Sequence, residues 1–172
     1  MSFAHHIFVL TAAPMKPSHQ ATYERARSLA RDACFAVALQ CRRIAADEPW
    51  DVYMRHIWAD FQFLLVALTR TRRAAGLAAK VPEIAPAIEA AIKTFDATLP
   101  YLKTMRDVAE HIDDYAVDDG RHAAVERQAL GAALFAKKRI EWLGFTLDTD
   151  EARQACEALF QAIKFNPPNK AN

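Results

Sequence analysis

The chain has 172 residues, 52% of them hydrophobic and 25% charged, with a formal net charge of +1. That apolar fraction at near-zero charge excludes disorder, and a pI near 7.8 excludes a broadly basic nucleic-acid-coating protein while leaving room for a local patch. No apolar stretch approaches the ~20 residues that cross a bilayer, so a membrane span is excluded too.

The length is that of one helical domain, residues 1–172, with 1–17 as an N-terminal arm. The apolar run Ile7 to Ala13 lacks a basic start, so it reads as a short strand or arm packed on the body and not as a signal peptide. Ser18 is the expected N-cap of a helix to about Ala46, because Tyr23, Ala26, Ala30, Ala33, Val37 and Cys41 recur at three-to-four spacing. Asp47 and Glu48 punctuate, and Pro49 opens a second helix to about Ala79. The middle of that helix, Trp58 to Leu68, is apolar on most sides, as a central helix requires. Arg70, Arg72, Arg73 and Lys80 suit the negative end of its dipole.

Pro82 and Glu83 restart a helix to about Thr98, and Pro100 another to about Tyr115, after which Asp118, Asp119 and Gly120 form a loop. Ala123 to Leu134 is rich in alanine and compatible with a helix. Leu130 to Leu147 nevertheless reads better as a β-hairpin turning around Ala136, Lys137, Lys138 and Arg139, because Ile140 and Trp142 alternate with Arg139 and Glu141. Asp148 or Thr149 caps a last helix to about Phe165 that points Ala152, Ala155, Leu159, Ala162 and Ile163 at the core, and residues 166–172 form a frayed tail. The expected fold is mainly α: an up-and-down bundle of about five helices with a small β-hairpin before the C-terminal one.

Cys34, Cys41 and Cys156 show no Cys-x-x-Cys spacing, which suggests neither a disulfide framework nor a thiolate zinc site and fits a cytoplasmic protein. His19 and His122 read as helix-start or loop residues, and Trp50, Trp58 and Trp142 as core aromatics. There is no glycine-rich phosphate loop, Gly-x-Ser-x-Gly elbow or His-Glu-x-x-His pair, which removes the common nucleotide, hydrolase and zinc-protease readings.

The stretch that carries chemistry is Thr104 to Tyr115. Met105, Val108, Ile112 and Tyr115 make an apolar stripe, and the remaining face is almost wholly ionisable. On that face Asp107 precedes His111 by four residues and is placed to accept a hydrogen bond from the imidazole. Arg106 sits about 140° around the axis from His111, so only its long side chain lets the two share a cleft, whereas Glu110 is its natural ion-pair partner.

Cleaving RNA without a metal requires a base for the 2′-hydroxyl proton and a fixed positive charge for the developing phosphorane oxygens, and one imidazole with one guanidinium is a sufficient pair. Arg106, Asp107 and His111 match the motif of the HEPN superfamily of helical nucleotide-binding and ribonuclease domains, which the segment resembles: an Arg, a polar residue directly after it, and a His four to six residues on. The resemblance spans about 12 residues. It implies a helical bundle that homodimerises so that two motifs meet and form one metal-independent endoribonuclease site, leaving a cyclic phosphate end. In that site His111 would be the acid or base, Arg106 the phosphate stabiliser and Asp107 the orienter. No metal or other cofactor is implied. Family members often serve as toxins or in defence against phage, so an antitoxin-like protein partner is also implied. The toxin branch carries a tyrosine two positions after the His; here Ile112 and Asp113 occupy those places, and Tyr115 is the nearest tyrosine.

Six acids between Arg106 and Asp119 mean that RNA needs cations from elsewhere, Arg42 and Arg43 or Arg70, Arg72 and Arg73. Two other readings use the same residues. In a non-catalytic module for self-association or partner binding, Arg106 folds onto Glu110 and His111 is packed or solvated. In a metal centre, Asp107, Glu110, His111 and Asp114, at i, i+3, i+4 and i+7, are joined by His56 and Asp60.

Overall fold

The computed structural model describes residues 17–46, 50–136 and 138–168. The expected arm at 7–13, the Pro49 helix start and the tail from 169 lie outside the described residues. Within them the chain is mainly α, with six α-helices and one small sheet.

Helix α1 (His19–Ile44) starts where Ser18 Oγ accepts the Ala21 N–H at 3.1 Å. Its buried stripe, Tyr23, Ala26, Ala30, Ala33, Val37, Cys41 and Ile44, is mostly small, which lets neighbouring helices come close. Helix α2 (Trp50–Ala78) runs through the centre, with Ile57, Phe61, Leu64, Leu65 and Leu68 buried, and packs against α1. Buried Asp60 is held by Arg43 at 2.8 Å, which offsets the cost of taking its charge out of water.

Helix α3 (Ala85–Thr98) begins later than Pro82 predicts: residues 81–84 form a turn, and Pro86 occupies the first helical turn instead. Helix α4 (Leu102–Glu110) buries Leu102, Met105 and Val108, packs on α2, and ends earlier than expected. His111 leaves the helical region (φ −123°, ψ 36°), and the chain resumes as the short α5 (Ile112–Ala116). The helix expected to reach Tyr115 is therefore broken, and Ile112 lies exposed, outside the stripe to which the sequence assigns it. Tyr115 stays buried because residues 118–122 fold over its ring. Gly120 makes this approach feasible: a Cβ there would sit 2.1 Å from Tyr115 Cδ1.

A 3-10 turn, Arg127–Gly131, leads into strands β1 (Ala133–Ala136), β2 (Arg139–Trp142) and β3 (Phe145–Asp148), an antiparallel sheet in the order β1-β2-β3. The expected hairpin is present, pairing Phe135 with Ile140, and a third strand extends it through a two-residue turn. Both turn residues, Leu143 (φ 57°) and Gly144 (φ 74°), take the left-handed conformation that such a turn demands. Leucine carries no turn signal, but burial of its side chain offsets the strain. The inner face of the sheet sets Trp142 and Phe135 edge-on to Trp58 and Phe61, with ring centroids 5.2–6.5 Å apart, and Trp142 Nε1 donates to Leu130 O at 3.1 Å. Helix α6 (Thr149–Phe165) is capped by Asp148, whose Oδ1 accepts the N–H groups of Asp150 and Glu151 at 2.8 and 3.0 Å. It buries Ala152, Cys156, Leu159 and Ile163 against α1, α2 and α3.

Candidate functional site

On the exposed flank of α4, the Arg106 guanidinium is closed by two carboxylates. Nη1 donates to Asp107 Oδ1 at 2.9 Å, and Nη2 pairs with Glu110 Oε2 one helical turn on. Only 20% of the Arg106 side chain is exposed, so these charge-assisted bonds are partly shielded and hold it in place.

Asp107 does not bond His111, contrary to the i, i+4 expectation. One oxygen is taken by Arg106, and the other lies 3.7 Å from His122 Nε2. His111 turns instead toward Asp114, Nδ1 to Oδ2 3.8 Å, with 44% of its side chain exposed. Its position at the break explains why: its N–H closes α4 on Asp107 O at 3.1 Å while its carbonyl accepts the Asp114 N–H at 3.1 Å, so the backbone around it turns toward α5. Arg106 and His111 thus pair with different carboxylates.

What converges with Arg106 is a set of cations from α2. A cavity of about 470 Å³ between α2, α4 and the α3–α4 turn is lined by Arg72, Arg73, Lys103 and Arg106, with Asp96 and Asp107 as its acids. Arg72 is fixed by a bidentate pair to Asp96, Nε–Oδ1 3.0 Å and Nη2–Oδ2 2.8 Å, and this bond pushes its pKa further up. Arg73 and Lys103 are exposed and make no ion pair among the described residues. Counting Glu110 on Arg106, four cations stand against three carboxylates, a surplus of one positive charge.

Arg70, the third expected substrate-binding residue, belongs elsewhere: it lines an apolar groove of about 620 Å³ between α1 and α2 with Leu29 and Phe63, and Arg73 alone reaches both hollows. The helical offset accounts for this, since Thr69, Arg72 and Arg73 share a face that residue 70 leaves.

The sequence passes over His122, Lys103 and Asp96. His122 reads as a loop residue, yet its N–H donates to the buried Tyr115 hydroxyl at 3.2 Å and its ring lies nearly parallel to that of Tyr115, with centroids 6.3 Å apart. Asp107 thus links the cationic cavity to a second hollow of about 340 Å³ lined by His122, Tyr115 and Arg127. The metal reading loses its geometry. Asp60 is committed to Arg43, Asp107 and Glu110 to Arg106, and no group of three or more ligating side chains converges among the described residues.

Among protein-family models, characterised proteins and solved structures, none matches this chain.

Proposed function

We propose that the chain is a HEPN-like RNA-handling domain that seats the phosphodiester backbone in the cavity between α2 and α4. The observation that carries this reading is the convergence of Arg72, Arg73, Lys103 and Arg106 on one space. Arg72 and Arg106 are held at the cavity by Asp96, Asp107 and Glu110, which occupy their forks, and Arg73 and Lys103, which make no ion pair among the described residues, supply the charge open to a phosphate. Cleavage rests on His111 as acid or base and Arg106 as phosphate stabiliser. The two do not meet in one chain, so metal-independent endoribonuclease activity depends on a homodimer in which a second copy brings its His111 to the Arg106 side.

A second reading has its own observation. Arg106 closed on Glu110 and His111 half in solvent is the arrangement expected of a non-catalytic module.

RNA binding and cleavage measured in chelator separate them. Arg73→Ala with Lys103→Ala is expected to weaken binding of single-stranded RNA about tenfold and to reduce the log–log salt slope by roughly 0.7 per lost contact. His111→Ala is expected to abolish cleavage while leaving binding and Tm unchanged. Binding without cleavage by the wild type establishes the module, and no binding at low salt removes both the cavity and the RNA.

A further inference from the structure

Helix α1 carries two apolar stripes, where a helix packed on one side needs only one. Besides its core stripe, Leu29, Phe35, Ala36 and Leu39 face away from the core, with Phe35 68% exposed. Helix α2 repeats the pattern, since Phe63 and Val66 turn outward beside the buried Phe61 and Leu64, and Phe63 is 62% exposed. Leu29, Ala36, Phe63 and Val66 line the groove of about 620 Å³ between the two helices, and Phe35 and Leu39 continue the apolar surface along the α1 flank.

Four of the nine exposed large apolar side chains among the described residues, Leu29, Phe35, Leu39 and Phe63, fall on this one face. Clustered exposure of that kind marks an association surface, whereas scattered exposure marks nothing. Within the groove Gln40 Oε1 is buried with no donor among the described residues, a second sign of a missing neighbour.

We propose that this groove is an interface whose occupant is the same α1–α2 face of a second copy of the chain. Charge decides in favour of a second copy. Asp32 stands on the α1 lip of the groove, and Arg70 and Arg73 stand on its α2 lip. A two-fold axis running along the groove lays α1 of each copy over α2 of the other, so Asp32 of one copy faces Arg70 of its mate, and the same pair forms twice. An axis running across the groove would set like charges together. Arg70 makes no ion pair among the described residues, and Asp32 is held only by its exposed chain neighbour Arg31 at 3.1 Å, a pair easily exchanged. The size is sufficient as well. Helices of 26 and 29 residues present a face about 40 Å long and about 20 Å wide, close to the roughly 800 Å² that each partner of a standard interface buries. The inference uses neither His111 nor Lys103, and association is read without RNA, so its failure and that of the RNA reading are told apart.

The test is the mass of the full chain by sedimentation at micromolar concentration, expected at twice 19.3 kDa. Phe63→Asp is expected to weaken association about a hundredfold, with Tm unchanged because the ring is exposed. Asp32→Arg and Arg70→Asp are each expected to weaken self-association about tenfold, since each sets like charges across the axis twice. An equimolar mixture of those two variants is expected to regain the wild-type affinity as a heterodimer, because every such contact then joins opposite charges. This rescue holds even if Phe63→Asp fails to fold, and a structural role of either residue would not produce it. A monomeric wild type overturns the proposal. So does a dimer indifferent to all three substitutions, which would be built on another face, and so does a mixture that stays monomeric. A full chain that dimerises only after residues 1–16 are removed also overturns it, and assigns the groove to the chain's own N-terminal segment.

Discussion

The α1–α2–α6 trunk and the α4–α5 segment with its loop are held by different forces. The trunk is long helices closed by small and aromatic side chains, with Phe61, Leu64, Leu68 and Cys156 fully buried. The α4–α5 side is short pieces, a backbone break at His111, a positive φ at Asp118, and, beyond the buried Leu102, Met105, Val108 and Tyr115, contacts between charges: Arg106 with Asp107 and Glu110, Asp107 with His122, Arg127 with Asp118. The contrast separates stability from ligand chemistry. A partly exposed ion pair contributes little to folding, so Arg106 and Asp107 can exchange partners without unfolding the chain, whereas a buried apolar contact cannot be exchanged so cheaply.

The sharpest way to break that contrast lies in the trunk. Phe61→Ala, which removes the buried ring packed on both Trp58 and Trp142, is expected to cost about 3–5 kcal/mol in chemical denaturation. If it costs no more than changes near α5 do, the division is false. On the other side, Gly120→Ala drives a methyl into the Tyr115 ring and is expected to cost roughly 1–3 kcal/mol. Its signature is local: hydrogen exchange at 117–126 quickens more than exchange in α1. Smaller again, Asp148→Ala removes the α6 cap at about 1 kcal/mol, read as a lower denaturation midpoint with unchanged slope. Smallest is Lys138→Met. The hydrogen bond from Lys138 lowers the Asp150 pKa, so its contribution is present above the ordinary carboxylate range and is lost as pH falls through the lowered folded value. Wild type and variant are therefore expected to converge at acid pH and to differ slightly at neutral pH.

The trunk was legible because its signals are local. The α1 stripe from Tyr23 to Cys41 follows from period and is buried residue for residue, and of the two cap candidates Asp148 and Thr149 the structure selects Asp148. The His111 break has no proline or glycine beside it to mark it. Leu143 hides the second turn of the sheet because leucine is not a turn residue, and β3 abuts a helix cap that masks it. Of the candidate site, Arg106, Arg72 and Arg73 are visible in the sequence as cations, but which of them share a space depends on how α2 and α4 pack. Lys103 and His122 carry no motif.

The alanines of α1 also set what this protein can become. Positions 26, 30 and 33 admit hardly more than a methyl group at the seam. A longer side chain at any of the three would wedge the helices apart, so the closeness of the trunk is set by the smallest residues in it.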